Sequence, residues 1–117
     1  MTNLATLRTR ERAGIVIATI AGEVDVSNAG GLNEQITSAV TGDAHGLIID
    51  LGEVDFFDSS GVHMLYDLAE RLAHRQQGFA VVLPADSPPR RALELSGTGD
   101  SGWLHQNLPA ALAAIGA

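Results

Sequence analysis

The 117-residue sequence contains no cysteine, which excludes disulfide bonds, a thiolate nucleophile and a cysteine-ligated metal. It also lacks an apolar run of transmembrane length, and Met1–Ala5 lacks the charged and apolar segments of a signal peptide. These absences predict a soluble cytoplasmic protein without a membrane partner. Basic residues are scarce, seven against fourteen acidic ones, and the formal net charge is −7. A nucleic acid is therefore an unfavourable partner, whereas a basic protein surface is electrostatically favoured.

The residues that are present indicate one globular domain. Hydrophobic residues make up 45% of the chain and charged residues 18%, a balance typical of folded rather than disordered proteins. A chain of this length can bury a core without covalent cross-links. No internal repeat, linker or low-complexity segment interrupts it, so we predict a single domain over residues 1–117.

Apolar patterns predict strands that alternate with helices. The strands are expected at residues 4–10, 15–21, 47–51, 79–83 and 103–104, with 4–10 at an edge and the β-branched run 15–21 at the centre, buried on both faces. The segments between them carry apolar residues three or four positions apart, as helices do: Leu32, Ile36, Ala39 and Val40; Val62, Leu65, Ala69 and Leu72; Ala92, Leu93 and Leu95; Leu108, Leu112 and Ile115. The fold class is therefore α/β, with helices packed against a mostly parallel sheet of four to five strands.

Short polar residues mark where each predicted helix begins. A serine, asparagine or aspartate at the N-cap accepts a hydrogen bond from an otherwise unpaired N–H group of the first turn. Ser27 or Asn28 is expected to cap the first helix, Ser87 the third and Asn107 the last.

The remaining helix start, at residues 58–61, is the most informative part of the sequence. The strand 47–51 is predicted to run into a loop that carries Asp55 and Asp58, and Asp58 or Ser59 is the expected N-cap of the helix that follows. Ser59 and Ser60 then lie at a strand-to-helix corner near the surface, where a partner can reach their hydroxyl groups.

A hydrolase site at this corner is disfavoured. Ser59 resembles the serine of a nucleophile elbow, with Gly61 two residues after it, but Phe57 occupies the position two residues before it, where such an elbow requires glycine. Neither His63 nor His105 is clearly placed to act as the base for this serine. We therefore expect no catalytic residues.

Metal and nucleotide sites are disfavoured as well. His63, Asp67, Glu70 and His74 line one helix face, but one straight helix cannot surround an ion, and ion pairs on an exposed helix face explain this spacing. Residues 97–102 spell G-x-G-x-x-G, yet this segment follows a helix rather than a strand. We interpret it as a flexible loop and expect no metal and no cofactor.

The two serines can be read either as a simple helix cap or as a modification switch. A phosphate here would accept hydrogen bonds from the N–H groups of the helix start. It would also add about −1.5 to −2 charges beside Asp58, Asp55 and Asp25, which would change the surface that a partner meets. The local chemistry alone does not choose between the two interpretations.

Three segments resemble the STAS family of anti-sigma factor antagonists. Gly22-Glu23-Val24-Asp25 is similar to the family pattern G-E-h-D, and residues 50–61 are similar to its D-L-x-x-V-x-F-h-D-S-S-G hallmark. Leu93-Glu94-Leu95-Ser96-Gly97 resembles the h-x-x-S-G segment before the last strand. The order and spacing of these segments extend the resemblance over essentially the whole chain.

The resemblance implies a substrate rather than an enzyme. In such systems an anti-sigma factor with a GHKL-type kinase fold binds the unphosphorylated antagonist, which frees the sigma factor. The kinase phosphorylates the first serine of D-S-S-G, here Ser59, and a PP2C-type phosphatase reverses the modification. Further partner-binding positions implied by the resemblance are Asp25, Asp58, Ser60, Gly61 and His63.

Two departures from the family pattern bear on these expectations. His63 stands where the family often has a small residue, and we expect it to influence partner choice. Residues 98–102 are more polar than usual, so we expect a frayed last strand. An alternative function that the resemblance also allows is a phosphorylation-independent STAS subunit of a lipid-transport or stress-signalling complex. The sequence does not indicate an oligomeric state.

Overall fold

The computed structural model describes residues 4–97, 99 and 101–116. Within these ranges there are five strands and four helices, which alternate from the second strand onward. In chain order the elements are β1 (Ala5–Arg12), β2 (Ile15–Val24), α1 (Ala29–Ala39), β3 (Gly46–Phe57), α2 (Ser59–His74), β4 (Gly78–Val82), α3 (Pro88–Leu95), β5 (Leu104–His105) and α4 (Leu108–Ile115).

The strands form one sheet in the order β1-β2-β3-β4-β5. β1 runs antiparallel to β2, whereas the other three neighbouring pairs are parallel. Parallel neighbours require a crossover connection, and α1, α2 and α3 provide the crossovers. The predicted α/β fold with a mostly parallel sheet is confirmed.

Strand β2 is buried on both faces, as predicted. Val16, Ala18 and Ile20 face the larger core, whereas Ile15 and Ile17 face the smaller one. Because side chains alternate between the faces of a strand, burial on both sides produces the continuous apolar run seen in the sequence. β1 pairs only with β2 and is the predicted edge strand.

Helices α1, α2 and α3 cover one face of the sheet and α4 covers part of the other. Ile36, Leu65 and Leu93, one from each of the first three helices, are buried in the larger core, and Leu112 of α4 lies in the smaller one. Leu95 is 84% exposed, so the apolar stripe of α3 ends at Leu93. No helix within the described ranges is long and apolar enough to cross a bilayer.

Two helix starts follow the predicted capping chemistry. The Ser87 hydroxyl accepts a hydrogen bond from the Arg90 N–H group at 3.4 Å, and the Asn107 side chain accepts one from the Ala110 N–H group at 2.9 Å. Proline in the first turn of both α3 and α4 adds no unsatisfied donor there.

Strand β3 is longer than predicted. It continues to Phe57, so Asp55 lies on a strand and the prediction that it lies in a loop is wrong. The extension forms because its backbone pairs with the end of β2, where Val24 lies opposite Phe57. The register shift between Gly22 and Glu23 leaves Asp55 without a partner residue on β2, and both Asp55 and Phe56 are exposed.

The last strand is short and lies one residue later than predicted. β5 contains only Leu104 and His105, which pair with Val81 and Val82 of β4. Its two-residue length agrees with the expectation of a frayed last strand. In the loop before it, which was predicted to be flexible, Thr98 and Asp100 lie outside the described residues.

Candidate functional site

Asp58 connects the end of β3 to the start of α2 and is the N-cap of that helix. Its carboxylate accepts a hydrogen bond from the Ser60 N–H group at 2.8 Å, and its carbonyl accepts bonds from Gly61 and Val62 at 3.0 and 3.2 Å. Its own N–H group donates to the Val24 carbonyl at 3.3 Å. Of the two predicted caps, Asp58 is therefore the observed one, and it ties the start of α2 to the end of β2.

Ser59 is the first residue of α2, and its side chain is exposed. Ser60 is half-buried and lines a groove between α1 and α2. Neither hydroxyl group makes a hydrogen bond to any of the described residues, which also means that His63 does not engage Ser59 as a base would. The structure thus leaves the Ser59 hydroxyl group as the more accessible of the two.

Gly61 is buried under the ring of Phe57. A Cβ atom at this position would lie 2.6 Å from two atoms of that ring, well inside ordinary contact distance. Glycine therefore allows Phe57, itself buried, to pack against the first turn of α2. Close packing against Phe57 thus explains why residue 61 is a glycine. The contact of Gly61 with a partner stays a prediction.

The loop between β2 and α1 holds Asp25 beside this corner. The carboxylate of Asp25 accepts hydrogen bonds from the hydroxyl and the N–H group of Ser27, the latter at 2.8 Å. These two bonds hold the pKa of Asp25 below its usual value, because they stabilise the charged carboxylate. Asp25 directly follows Val24, whose carbonyl accepts the bond from Asp58, so the two acidic residues stand at adjacent strand ends.

Asn28 is the N-cap residue of α1, one of the two predicted positions, but its side chain makes no capping hydrogen bond to the first turn. The Asn28 side chain instead accepts a bond from the Asp25 N–H group at 2.9 Å and donates to the Glu23 carbonyl at 2.8 Å. Its amide is used to close the loop because those two backbone groups lie within reach across the turn. The result is a loop in which Asp25 has a defined position.

The groove between α1 and α2 has a volume of about 470 Å³ and is open along one side. Ser60, His63 and Asp67 line it from α2. Asp67 accepts a hydrogen bond from Asn33 of α1 at 2.8 Å, which joins the two helices. His63 is exposed in this groove, one turn after Ser59, in a position where a partner that covers Ser59 can contact it.

Three of the four α2 residues that the sequence offers as metal ligands, Asp67, Glu70 and His74, lie in side-chain pairs along the helix instead. Asp67 lies 3.6 Å from Arg71, and the carboxylate of Glu70 lies 4.0 Å from the His74 ring nitrogen. Across the part of the chain that the structure describes, no group of three histidine or acidic side chains is arranged to hold a metal ion.

Two exposed apolar side chains border the corner and were not identified from the sequence. Val26, in the β2–α1 loop, is 81% exposed, and Phe56, at the end of β3, is 47% exposed. For Val26, the signal in the sequence was an apolar residue inside a polar loop. For Phe56, the signal was its position next to Phe57, because the side chains of a strand alternate between its faces and only one of two neighbours is then buried. Exposed apolar groups mark an interaction surface where they form a contiguous patch, whereas single ones are common on any protein.

The fold agrees with the family whose model the chain matches. Residues 6–111 match the model described as the STAS domain, and the chain belongs to that family. It is 30% identical to the anti-sigma-F factor antagonist RsfB of Mycobacterium tuberculosis over 110 residues, which cover 94% of this chain and 88% of that protein.

Solved structures show the same relationship. The crystal structure of an anti-sigma factor antagonist from Mycobacterium paratuberculosis has a TM-score of 0.84 at 30% identity and covers 95% of this chain and 93% of its own. SpoIIAA in its unphosphorylated form has a TM-score of 0.72 at 22% identity and covers 96% and 98%, which shows a shared fold. The resemblance seen in the sequence is confirmed.

Proposed function

We propose that this protein is an anti-sigma factor antagonist and that phosphorylation of Ser59 switches it off. The observation that carries the proposal is the exposed and unbonded Ser59 hydroxyl group at the first position of α2. The names of the relatives, which are anti-sigma factor antagonists, support the partner class.

The corner has the composition of a docking surface. Val26 and Phe56 offer apolar contact area, the α1–α2 groove offers a concave site, and Asp25 and Asp58 offer negative charge. In the proposed mechanism the anti-sigma factor, a GHKL-type serine kinase, binds this surface and releases its sigma factor. A basic patch on the kinase would complement the two carboxylates.

Phosphorylation would change this surface more than the fold. The phosphate would sit at the N-terminal end of α2, where the helix dipole favours an anion. It would also add about −1.5 to −2 charges next to Asp58 and Asp25, which are already negative. A kinase whose surface is matched to the unmodified corner would then dissociate, and a PP2C-type phosphatase would restore the binding form.

In this role the protein is a substrate and not a catalyst. Within the described residues no base contacts Ser59, so this serine depends on the kinase for activation. The proposed place of action is the cytoplasm, where sigma factors act.

An alternative function is a phosphorylation-independent STAS interaction subunit. The exposed Val26 and Phe56 favour it, because apolar contacts at this corner require no phosphate. The two functions differ in whether Ser59 accepts a phosphate from a kinase that binds the corner.

The test combines intact-mass measurement with binding. The protein is incubated with candidate anti-sigma factors and ATP, and its Ser59→Ala and Ser60→Ala variants are treated in parallel. We expect one phosphate on the wild type and on Ser60→Ala, and none on Ser59→Ala. A phosphate that persists in Ser59→Ala would refute the assignment of the site, and no phosphate from a kinase that binds would support the alternative function.

Binding of the same kinase provides the second measurement. Ser59→Ala should bind with the affinity of the wild type, whereas Ser59→Glu should bind about tenfold or more weakly, because like charges then meet at the interface. Ser38→Glu is the matched control, since it places the same charge on an exposed serine near the end of α1. Equal affinities for all of these proteins would contradict a charge switch at Ser59.

A further inference from the structure

A second interaction surface lies along β1, on the outer edge of the sheet. β1 pairs with β2 on one side only, so the other side of its backbone presents N–H and C=O groups that the sheet does not use. The strand is eight residues long, which is enough to pair with another extended segment. From this edge and its charge we infer that β1 binds an acidic extended peptide segment as a sixth strand.

The charge comes from three arginines at alternate positions, Arg8, Arg10 and Arg12, which we call the arginine row. Ala5 and Leu7 pack against the larger core, so the residues of the arginine row project from the opposite face of the strand. The row holds three of the seven basic residues of a protein whose net charge is −7. Such a local concentration of positive charge in an acidic protein favours an anionic partner.

Most of the arginine row is free to contact a partner. Arg8 pairs with Glu53 at 2.9 Å, but both side chains are more than half exposed, so this pair is weak. Arg10 and Arg12 are exposed and form no ion pair with the described residues, although Arg10 borders a hollow that Asp50 and Glu53 also line. Side chains on one face of a strand repeat every second residue, both in β1 and in a strand added beside it. The guanidinium groups of Arg10 and Arg12 can therefore pair with carboxylates at alternate positions of the added strand.

A second copy of this chain does not fit the same edge. Two β1 strands that pair antiparallel about a twofold axis would place the arginine rows directly against each other, and like charges at facing positions are destabilising. The edge therefore favours a different segment, with acidic residues at every second position and small or apolar residues between them. Main-chain hydrogen bonds would supply affinity and the acidic side chains specificity.

This surface is separate from the Ser59 corner and goes beyond the proposed function. Arg10 lies opposite Ile17 of β2, seven residues before Val24, where the corner begins. At about 3.3 Å per residue this separation is roughly 23 Å. A strand bound at the arginine row can therefore be present whether or not a partner covers Ser59.

The test uses the full chain and a fluorescently labelled peptide of nine residues with glutamate at every second position and valine between. Two control peptides are used: one with the same composition but all glutamates at one end, and one with N-methyl groups on the alternate amides that would face β1. Anisotropy gives the affinities at low and high salt, and amide NMR shifts locate the binding site.

We expect the alternating peptide to bind, to shift the amide signals of β1, and to slow hydrogen exchange of the β1 amides that β2 does not engage. Both control peptides should bind at least fivefold more weakly. Arg10→Glu/Arg12→Glu should lower the affinity about tenfold or more, because two ion pairs become repulsive. Arg75→Glu/Arg91→Glu has the same net charge on exposed positions away from β1 and should bind like the wild type.

Three results would overturn the inference. The first is no binding of the alternating peptide at low salt. The second is equal binding of the control peptides, which would reduce the effect to general charge attraction. The third is tighter binding of an oligonucleotide than of the peptide. Ser59→Glu should leave peptide binding unchanged, so failure here is distinguishable from failure of the proposed switch.

Discussion

The contact between Gly61 and Phe57 leads to a quantitative prediction about the start of α2. In Gly61→Ala the new methyl group would lie 2.6 Å from two atoms of the Phe57 ring. Phe57 is only 6% exposed, so the ring has little room to move away. Adding a methyl group to a filled site costs about 1–3 kcal/mol, whereas replacing glycine by alanine in a helix gains about 1 kcal/mol. We therefore expect a net destabilisation of up to about 2 kcal/mol.

The chain supplies a matched control in Gly31→Ala. Gly31 lies in α1, and a Cβ atom there would have no neighbour within 4 Å. The same chemical change should therefore show only the gain in helix propensity and should stabilise the protein by up to about 1 kcal/mol. The difference between the two variants isolates the clash with Phe57 from the propensity effect.

Urea unfolding can be followed by the fluorescence of Trp103, the only tryptophan in the sequence. Its ring centroid lies 5.5 Å from that of Tyr66 in α2 and 5.3 Å from that of Phe79 in β4, so unfolding removes both contacts. Phe57→Leu combined with Gly61→Ala should cost less than the sum of the single changes, because the smaller side chain removes the clash. If Gly61→Ala is as stabilising as Gly31→Ala, the argument that Phe57 requires glycine here is refuted.

Three further predictions concern the capping residue, a lowered pKa and a buried amide. Asp58→Ala should lower the free energy of unfolding by about 1 kcal/mol in urea titrations, whereas Asp58→Asn keeps an acceptor and should lose less. In a ¹³C NMR titration the pKa of Asp25 should lie below its usual value and should rise towards that value in Ser27→Ala. Because folding lowers this pKa, the charged carboxylate stabilises the folded state. That stabilisation is complete at pH values above the usual pKa and is lost as the pH falls through the lowered pKa. Gln77 is 9% exposed, and its side chain donates hydrogen bonds to two loop carbonyls at 2.9 and 3.0 Å. Gln77→Leu should therefore destabilise the protein by about 1–3 kcal/mol. The control is Gln106→Leu at an exposed site, and a Gln77→Leu urea midpoint equal to that of the control would contradict this prediction.

Much of the fold could be predicted because the information is local in the sequence. The β-branched run of β2 required burial on both faces, and the apolar spacing of the helices required one buried side. The side chains of Asp58, Ser87 and Asn107 cap their helices with groups only two or three residues away. The D-S-S-G segment and its spacing from Gly22–Asp25 identified the family, which the match over residues 6–111 confirms.

The exact limits of the site depended on contacts between distant parts of the chain. β3 extends to Phe57 because its backbone pairs with the end of β2, and no local pattern near Asp55 specifies that partner. Asn28 occupies the predicted N-cap position, but its side chain bonds to the backbone groups of Asp25 and Glu23 rather than to the first turn of α1.

The sequence by itself determined which elements form, and it marked two serines at the start of a helix as candidates. Only the tertiary structure decided that Ser59 is exposed while Ser60 turns towards a groove, and that Gly61 is needed beneath Phe57. It also left Val26 and Phe56 at the surface. The physical reason is that periodicity and capping act over a few residues, whereas exposure and close packing depend on which distant elements come to lie above each side chain.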